Sequence, residues 1–271
     1  MIKIIYNDGC SLGAGAEHKS WEMLPEGEEI CDSTWTDIIK TKYYPNAKKI
    51  TKATTGSSNR GIRRRTIHNV LELLETYKSD EILVFIMWTS FYRREFLLSN
   101  PKLDRGNKYF TLLPSDTARG LKSPTGKLVN SDERRTILKD NHLDIIADEI
   151  YTHHNKPLNH LYESLADVEA TNMFLKLHSI RSVQCFGFGS DVNPNLVLDL
   201  DDVYTNSIVK RVLKYNIYYI PTSPPQGFYE YSVGQHFELG PGLHPLESAH
   251  RAAHRAWANI IPRHFRLTPE K

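Results

Sequence analysis

Two short segments at opposite ends of the chain carry residue types suited to nucleophilic chemistry. Near the N-terminus, Asn7-Asp8-Gly9-Cys10-Ser11-Leu12-Gly13 places a hydroxyl in a glycine-flanked turn, directly after the apolar run Ile2–Tyr6. Near the C-terminus, Leu243-His244-Pro245-Leu246-Glu247-Ser248-Ala249-His250 supplies imidazoles. A serine hydroxyl is a poor nucleophile until a base takes its proton, and an imidazole titrating near neutrality suits that task. Glycine permits a tight turn whose backbone N–H groups can face a developing oxyanion. Ser11 attacking an acyl carbon with His244 as base is therefore the sharp reading. The plain reading makes Ser11 a helix N-cap after the first strand. Cys10 is a second candidate nucleophile, because thiolates are intrinsically stronger ones.

Other polar clusters admit two readings each. Arg60-Gly61-Ile62-Arg63-Arg64-Arg65 sits at a helix N-terminus, where cations oppose the helix dipole. An anionic ligand held there by dipole and guanidinium groups would explain them, with Arg63, Arg93 and Arg94 contacting substrate. Pairing with Glu72 and Glu75 on a solvated helix face would explain them equally. Trp88 is either a core residue or a stacking platform for substrate. His250 and His254 are one helical turn apart, a metal-binding spacing, but no Cys or carboxylate completes a recognised motif, which favours packing. Asn59 caps the following helix or faces the site.

These groups must be held by alternating strands and helices. Strands are expected at about 2–6, 47–53, 81–88, 183–188 and 217–220. Helices are expected at about 33–44 with Ser33 or Asp32 as N-cap, 61–77, 137–152, 157–178, 202–215 and 245–260. The continuous apolar run Glu81–Trp88 suits a central parallel strand buried on both faces. The alternation predicts a three-layer α/β/α sandwich around a mostly parallel, flavodoxin-like sheet. Residues Ser99 to Asp132 are polar, rich in Gly, Pro, Ser and Lys, and without period. They read as a long loop or lid inserted into one domain spanning 1–271, or as a plain surface insertion.

Global composition narrows the setting. The 271 residues, 40% hydrophobic and 24% charged, suit one globular core. A net charge of +2 gives no independent reason to expect nucleic acid. No apolar run reaches membrane-spanning length, and the first residues lack the pattern of a signal peptide. Three widely spaced cysteines, Cys10, Cys31 and Cys185, read as thiols of a reducing compartment, so a cytoplasmic location is expected. No cofactor or metal is called for.

In order, four segments resemble the sequence blocks of the SGNH (GDSL-type) hydrolases, in the divergent form common in tailed-bacteriophage genomes. Gly9-Cys10-Ser11-Leu12 resembles the nucleophile block, and Gly56-Ser57-Ser58-Asn59 the block whose Gly N–H faces the oxyanion. Trp88 to Glu95 stands where the third block has Gly-x-Asn, and His244-Pro245 with His250 resembles the last block, whose His is the general base. The resemblance implies a serine ester hydrolase, with Ser11, Gly56, Asn59 and Ser90 around the oxyanion. The chain departs from the pattern twice. Pro241 occupies the position of the usual Asp three residues before the His, so the site is a dyad or another acid orients the ring. Glu238, Glu247 and Asp191 are the candidates. Ser90 or Thr89 replaces the third-block Asn. The implied substrate is a small-molecule or glycan ester, anionic groups included, carrying a small acyl group. Two other readings stand beside it: a catalytically silent binding module, and a nucleotide or nucleic-acid binder using Arg60–Arg65.

Overall fold

The computed structural model describes residues 1–19, 22–23, 29–30, 32–98, 109–117, 132–153, 157–188, 207, 217–218 and 227–258. Five parallel strands form the central sheet: β1 (Ile4–Gly9), β4 (Lys48–Thr51), β5 (Ile82–Trp88), β8 (Arg181–Phe186) and β9 (Ile217–Tyr218). Their order is β4-β1-β5-β8-β9, which is 2-1-3-4-5 in chain order. The order reverses between β1 and β5, and the crevice beyond the carboxyl ends of those strands is where such sheets bind ligands. The register runs from Ile4 opposite Ile82 to Gly9 opposite Met87.

Every residue of β1 and β5 is buried, as a strand covered on both faces requires. Side chains alternate between two helical layers. Ile5, Leu83, Phe85, Met87, Val183 and Cys185 pack against α2 (Trp35–Tyr43), α7 (Phe228–Gly234) and α8 (Glu247–Ala258). Tyr6, Ile82, Val84, Ile86, Trp88 and Phe186 pack against α3 (Asn59–Leu74) and α6 (Pro157–Leu177). The chain is thus the expected three-layer α/β/α sandwich.

Several boundaries differ from expectation. β1 continues through Asn7-Asp8-Gly9 because Asp8 is fully satisfied inside the fold rather than exposed in a turn. α2 is capped by Thr34, whose hydroxyl and N–H both meet the Asp37 carboxylate, and not by Ser33 or Asp32. Ser58, and not Asn59, caps α3, accepting from the Gly61 N–H at 3.0 Å.

Part of the stretch 99–132 is regular. Its residues Tyr109–Leu112 form β7, paired antiparallel with β6 (Arg94–Leu97), and Pro114–Asp116 add a short 3-10 turn. This hairpin shares a small apolar cluster with α4 (Asp132–Asp140), α5 (Leu143–Asp148) and the π-turn Glu149–His153, through Phe110, Leu112, Ile137, Leu138 and Tyr151. The expected helix at about 202–215 lies, except for Ser207, outside the described residues, as do Asp191 and Cys31. A two-stranded ribbon, β2 (Glu22–Met23) and β3 (Glu29–Ile30), follows α1 (Ser11–Ala14).

Candidate active site

Ser11 opens α1 immediately past the carboxyl end of β1, with Cys10 as N-cap residue. The turn is packed tightly onto β5: a Cβ on Gly9 would stand 2.8 Å from the Met87 carbonyl oxygen. Cys10 is wholly buried in the core against Phe85, Met87 and Phe228. Ser11 beside it is 3% exposed, so burial does not separate the two candidates, and the choice of Ser11 rests on its place in the sequence pattern.

The chain after α1 closes against the C-terminal loop. Glu17, with φ +67°, accepts from the Gly242 N–H at 2.6 Å, from the His244 N–H at 3.3 Å, and meets His244 Nδ1 at 2.8 Å. The next residues continue the seam: His18 Nε2 lies 3.3 Å from the Pro245 carbonyl, and the Lys19 N–H donates to Glu247 Oε1 at 2.8 Å. Room for the carboxylate exists because two glycines line it. A Cβ on Gly240 would come within 2.5 Å of Glu17 Oε2, and one on Gly242 within 2.8 Å of Oε1. Leu243, between Gly242 and His244, is held at φ +66°, a left-handed conformation that such a residue rarely adopts and that the surrounding bonds must enforce.

A carboxylate only accepts, so the proton at this contact belongs to His244 Nδ1; in the neutral ring the lone pair then lies on Nε2. Partial burial pushes the Glu17 carboxyl up. The hydrogen bonds from His244 and the Gly242 and His244 N–H groups outweigh it and hold the group below its ordinary value. The acid beside the ring is therefore Glu17, and not Glu238 or Glu247. The Glu247 carboxylate is engaged by Lys19, and at Glu238 it is the backbone carbonyl that accepts from the Leu246 N–H. Sequence reasoning missed Glu17 because it lies 227 residues from its partner.

The second wall is the loop after β4. Gly56 adopts φ +79°, and no atom lies within 4 Å of where its Cβ would stand, so its backbone is open on that side. Ser57 is tied down by its hydroxyl donating to the Thr54 carbonyl at 2.7 Å. Arg65 then joins this loop to the nucleophile turn. Its Nη2 donates to Asp8 Oδ1 at 2.6 Å, to the Gly9 carbonyl at 3.3 Å and to Ser57 Oγ at 3.0 Å. Asp8 is completely buried and also accepts from the Gly9 N–H and from Tyr6 and Thr66 hydroxyls. Burial pushes the Asp8 carboxyl up, and Arg65 and the other donors pull it partly back.

The remaining candidates are placed as follows. Asn59 is buried, and its amide brackets the Thr89 backbone: Nδ2 donates to the Thr89 carbonyl at 3.1 Å and Oδ1 accepts its N–H at 2.9 Å. It thus fixes the turn after β5 that carries Ser90, whose hydroxyl accepts from the Tyr92 N–H at 3.4 Å. Trp88 is a core residue and not a substrate platform: it is fully buried in β5, and its indole N–H donates to Gln184 at 2.8 Å. Arg93 donates to the Ser57 carbonyl at 3.2 Å and so buttresses the same loop. Arg94 pairs with Glu163 and donates to His160.

Nor do Arg63, Arg64 and Arg65 pair with Glu72 and Glu75. Their partners are Asp167 at 2.8 Å, Glu95 at 3.0 Å and Asp8 at 2.6 Å. His250 and His254 pack inside. His250 Nδ1 accepts from the Trp35 N–H at 3.1 Å, and its ring meets His18 and Phe228 edge-on. Among the described residues no group of three His, Cys, Asp or Glu is placed to hold a metal, and no helix is long and apolar enough to cross a membrane.

No protein-family model matches the chain, and no curated protein does. Among solved structures it is similar to the psychrotrophic esterase EstA from Pseudoalteromonas sp., a structure inhibited by monoethylphosphonate. The identity is 10% and the TM-score 0.48, covering 97% of this chain and 99% of that one. It is also similar to the protein YxiM from Bacillus subtilis, at 12% identity and TM-score 0.46, covering 97% of this chain. The match spans 57% of the YxiM chain.

Proposed function

We propose that the chain is a serine ester hydrolase in which Ser11 is the nucleophile, His244 the general base and Glu17 the acid that orients it. The observation that carries this reading is the Glu17–His244 contact at 2.8 Å, which fixes the imidazole tautomer needed by a base. It also draws the C-terminal loop to a residue only six positions after Ser11. In this reading the nucleophile turn and the base loop share one end of the sheet, at the switch between β1 and β5.

The chemistry proceeds in two halves. His244 Nε2 takes the Ser11 proton as Oγ adds to the ester carbonyl carbon. The backbone N–H groups of Ser11 and Gly56 receive the oxyanion. Collapse breaks the ester C–O bond, and the imidazolium returns its proton to the leaving alkoxide. Water, deprotonated by His244, then attacks the acyl-serine, and the serine leaves with that proton as the carboxylic acid departs. In this reading Asn59 holds the adjoining turn in place, and Ser90 stands on that turn. The alcohol carrying the acyl group is a carbohydrate or a similar polyol.

The alternative that a free arginine face binds nucleic acid finds less support, because Arg63, Arg64 and Arg65 each have a carboxylate partner.

Covalent trapping tests the assignment. Diethyl p-nitrophenyl phosphate should add one diethylphosphoryl group, found by peptide mass mapping on Ser11, and His244→Ala should slow the labelling. Labelling at another residue, or none at Ser11, would remove the nucleophile from the account.

A further inference from the structure

A cavity of about 360 Å³ adjoins the proposed oxyanion loop, with Gly56 itself in its lining. One wall is Thr54, Thr55 and Ser57; the opposite wall is the β6–β7 hairpin, with Tyr109, Thr111 and Glu95, and Arg134 of α4. This volume is of the size that small-ligand sites have.

Charge compensation characterises its lining. Arg64 lays two donors on Glu95, at 3.0 and 3.4 Å. Arg134 grips Asp116 through Nε at 2.8 Å and Nη2 at 2.5 Å, and also donates to the Thr111 carbonyl. Arg65 holds Asp8. Asp8 and Asp116 have no exposed side-chain surface, so two of the three positive charges are neutralised from behind. An anion entering here would find no uncompensated cation and a carboxylate, Glu95, in the wall. A neutral ligand with many hydroxyls is suited differently: it can give hydrogen bonds to Glu95 and the threonine oxygens and take them from guanidinium N–H groups.

The aromatic component points the same way. The Arg64 guanidinium carbon sits 3.6 Å from the centroid of the Tyr109 ring, which fixes the ring, yet Tyr109 remains 39% exposed. A partly exposed aromatic side chain lining a cavity of paired polar groups suits a pyranose, which has apolar C–H faces and a hydroxylated edge.

We infer that this cavity seats the alcohol half of the ester, and that this alcohol is a neutral sugar ring stacked on Tyr109. The inference rests on the hydrolase reading above and replaces the expectation of an anionic substrate.

The test compares 6-O-acetylglucose, which keeps its other hydroxyls free, with p-nitrophenyl acetate. Tyr109→Ala should lower the kcat/KM ratio of the first over the second by about five-fold, the scale of one stacking contact. Tyr109→Phe should keep the ratio. An unchanged ratio in Tyr109→Ala, with the variant folded by circular dichroism, would overturn the proposal. Competitive inhibition by inorganic phosphate that Arg64→Gln relieves would also overturn it, in favour of an anion site. If turnover does not depend on Ser11, the hydrolase reading fails separately. Calorimetric titration of 6-O-acetylglucose then reads the cavity alone. The same Tyr109→Ala loss of affinity supports the cavity assignment, and its absence refutes it.

Discussion

Glu17 and His244, separated by 227 residues in sequence, meet through a single carboxylate oxygen that bonds both the His244 backbone N–H and ring Nδ1. The other oxygen holds the Gly242 N–H. One side chain therefore sets both the loop conformation and the imidazole tautomer. Glu17→Gln keeps an acceptor for the backbone but no longer enforces the tautomer. Its kcat on p-nitrophenyl acetate should fall by about 100-fold or more, with KM little changed and the fold intact. Adding Pro241→Asp to that variant restores an acid three residues before the base and should recover part of the loss. A Glu17→Gln enzyme as fast as wild type would assign the carboxylate to loop structure only.

Arg65 and Asp8 hold the nucleophile turn and the Gly56 loop at a fixed separation. Arg65→Leu leaves Asp8 buried without its cation, and should cost about 3–5 kcal/mol of stability. The double variant with Asp8→Asn should recover part of that cost, and denaturant melts arranged as a double-mutant cycle give the coupling directly.

Asn59→Ala removes two hydrogen bonds from a buried backbone, at Thr89 N–H and C=O. A loss of about 2–3 kcal/mol is expected from leaving these groups unpaired. If the turn after β5 matters to the site, kcat should drop as well. A shift in denaturation midpoint without any change in kcat would confine Asn59 to the fold.

Three buried histidines make stability depend on pH. Burial and the nearby Arg94 lower His160 from 6.5 to about 4. Burial, first, also lowers His250 well below its ordinary value and lowers His254. Below pH 6.5 the unfolded chain binds protons that the folded His160 refuses until about pH 4. Stability is therefore full above 6.5 and declines as the pH falls through that window. The melting temperature should drop by about 5 °C or more between pH 7.5 and pH 5. His160→Gln should flatten the decline. A melting temperature constant over this range would contradict the buried, neutral assignment.

How far the sequence discloses this arrangement varies with the physics of each part. The apolar run ending at Trp88 signals a central strand, and the order of strands and helices signals the sandwich, because burial on both faces leaves a continuous pattern. That same run favours the core reading of Trp88, and the side chain is fully buried. Arg65 was legible too: it falls three residues after Ile62 and one before Thr66, on the buried stripe that continues to Val70. Glu17 carries no local signal. It is a charged residue at positive φ whose partner is made by tertiary closure, and its nearest trace in sequence is the pair Gly240 and Gly242, where any side chain would strike the carboxylate. β7 is only four residues long and its pairing is set by β6 and the packing of α4, so a polar, glycine-rich neighbourhood concealed it.

The measurement closest to the central claim is hydrolysis of p-nitrophenyl acetate by wild type, Ser11→Ala and His244→Ala at equal folded concentration. The account predicts turnover by the wild type and its loss, by about 1,000-fold or more, in each variant. Wild-type turnover no greater than that of either variant would contradict a Ser11–His244 hydrolase and leave the cleft as a binding site.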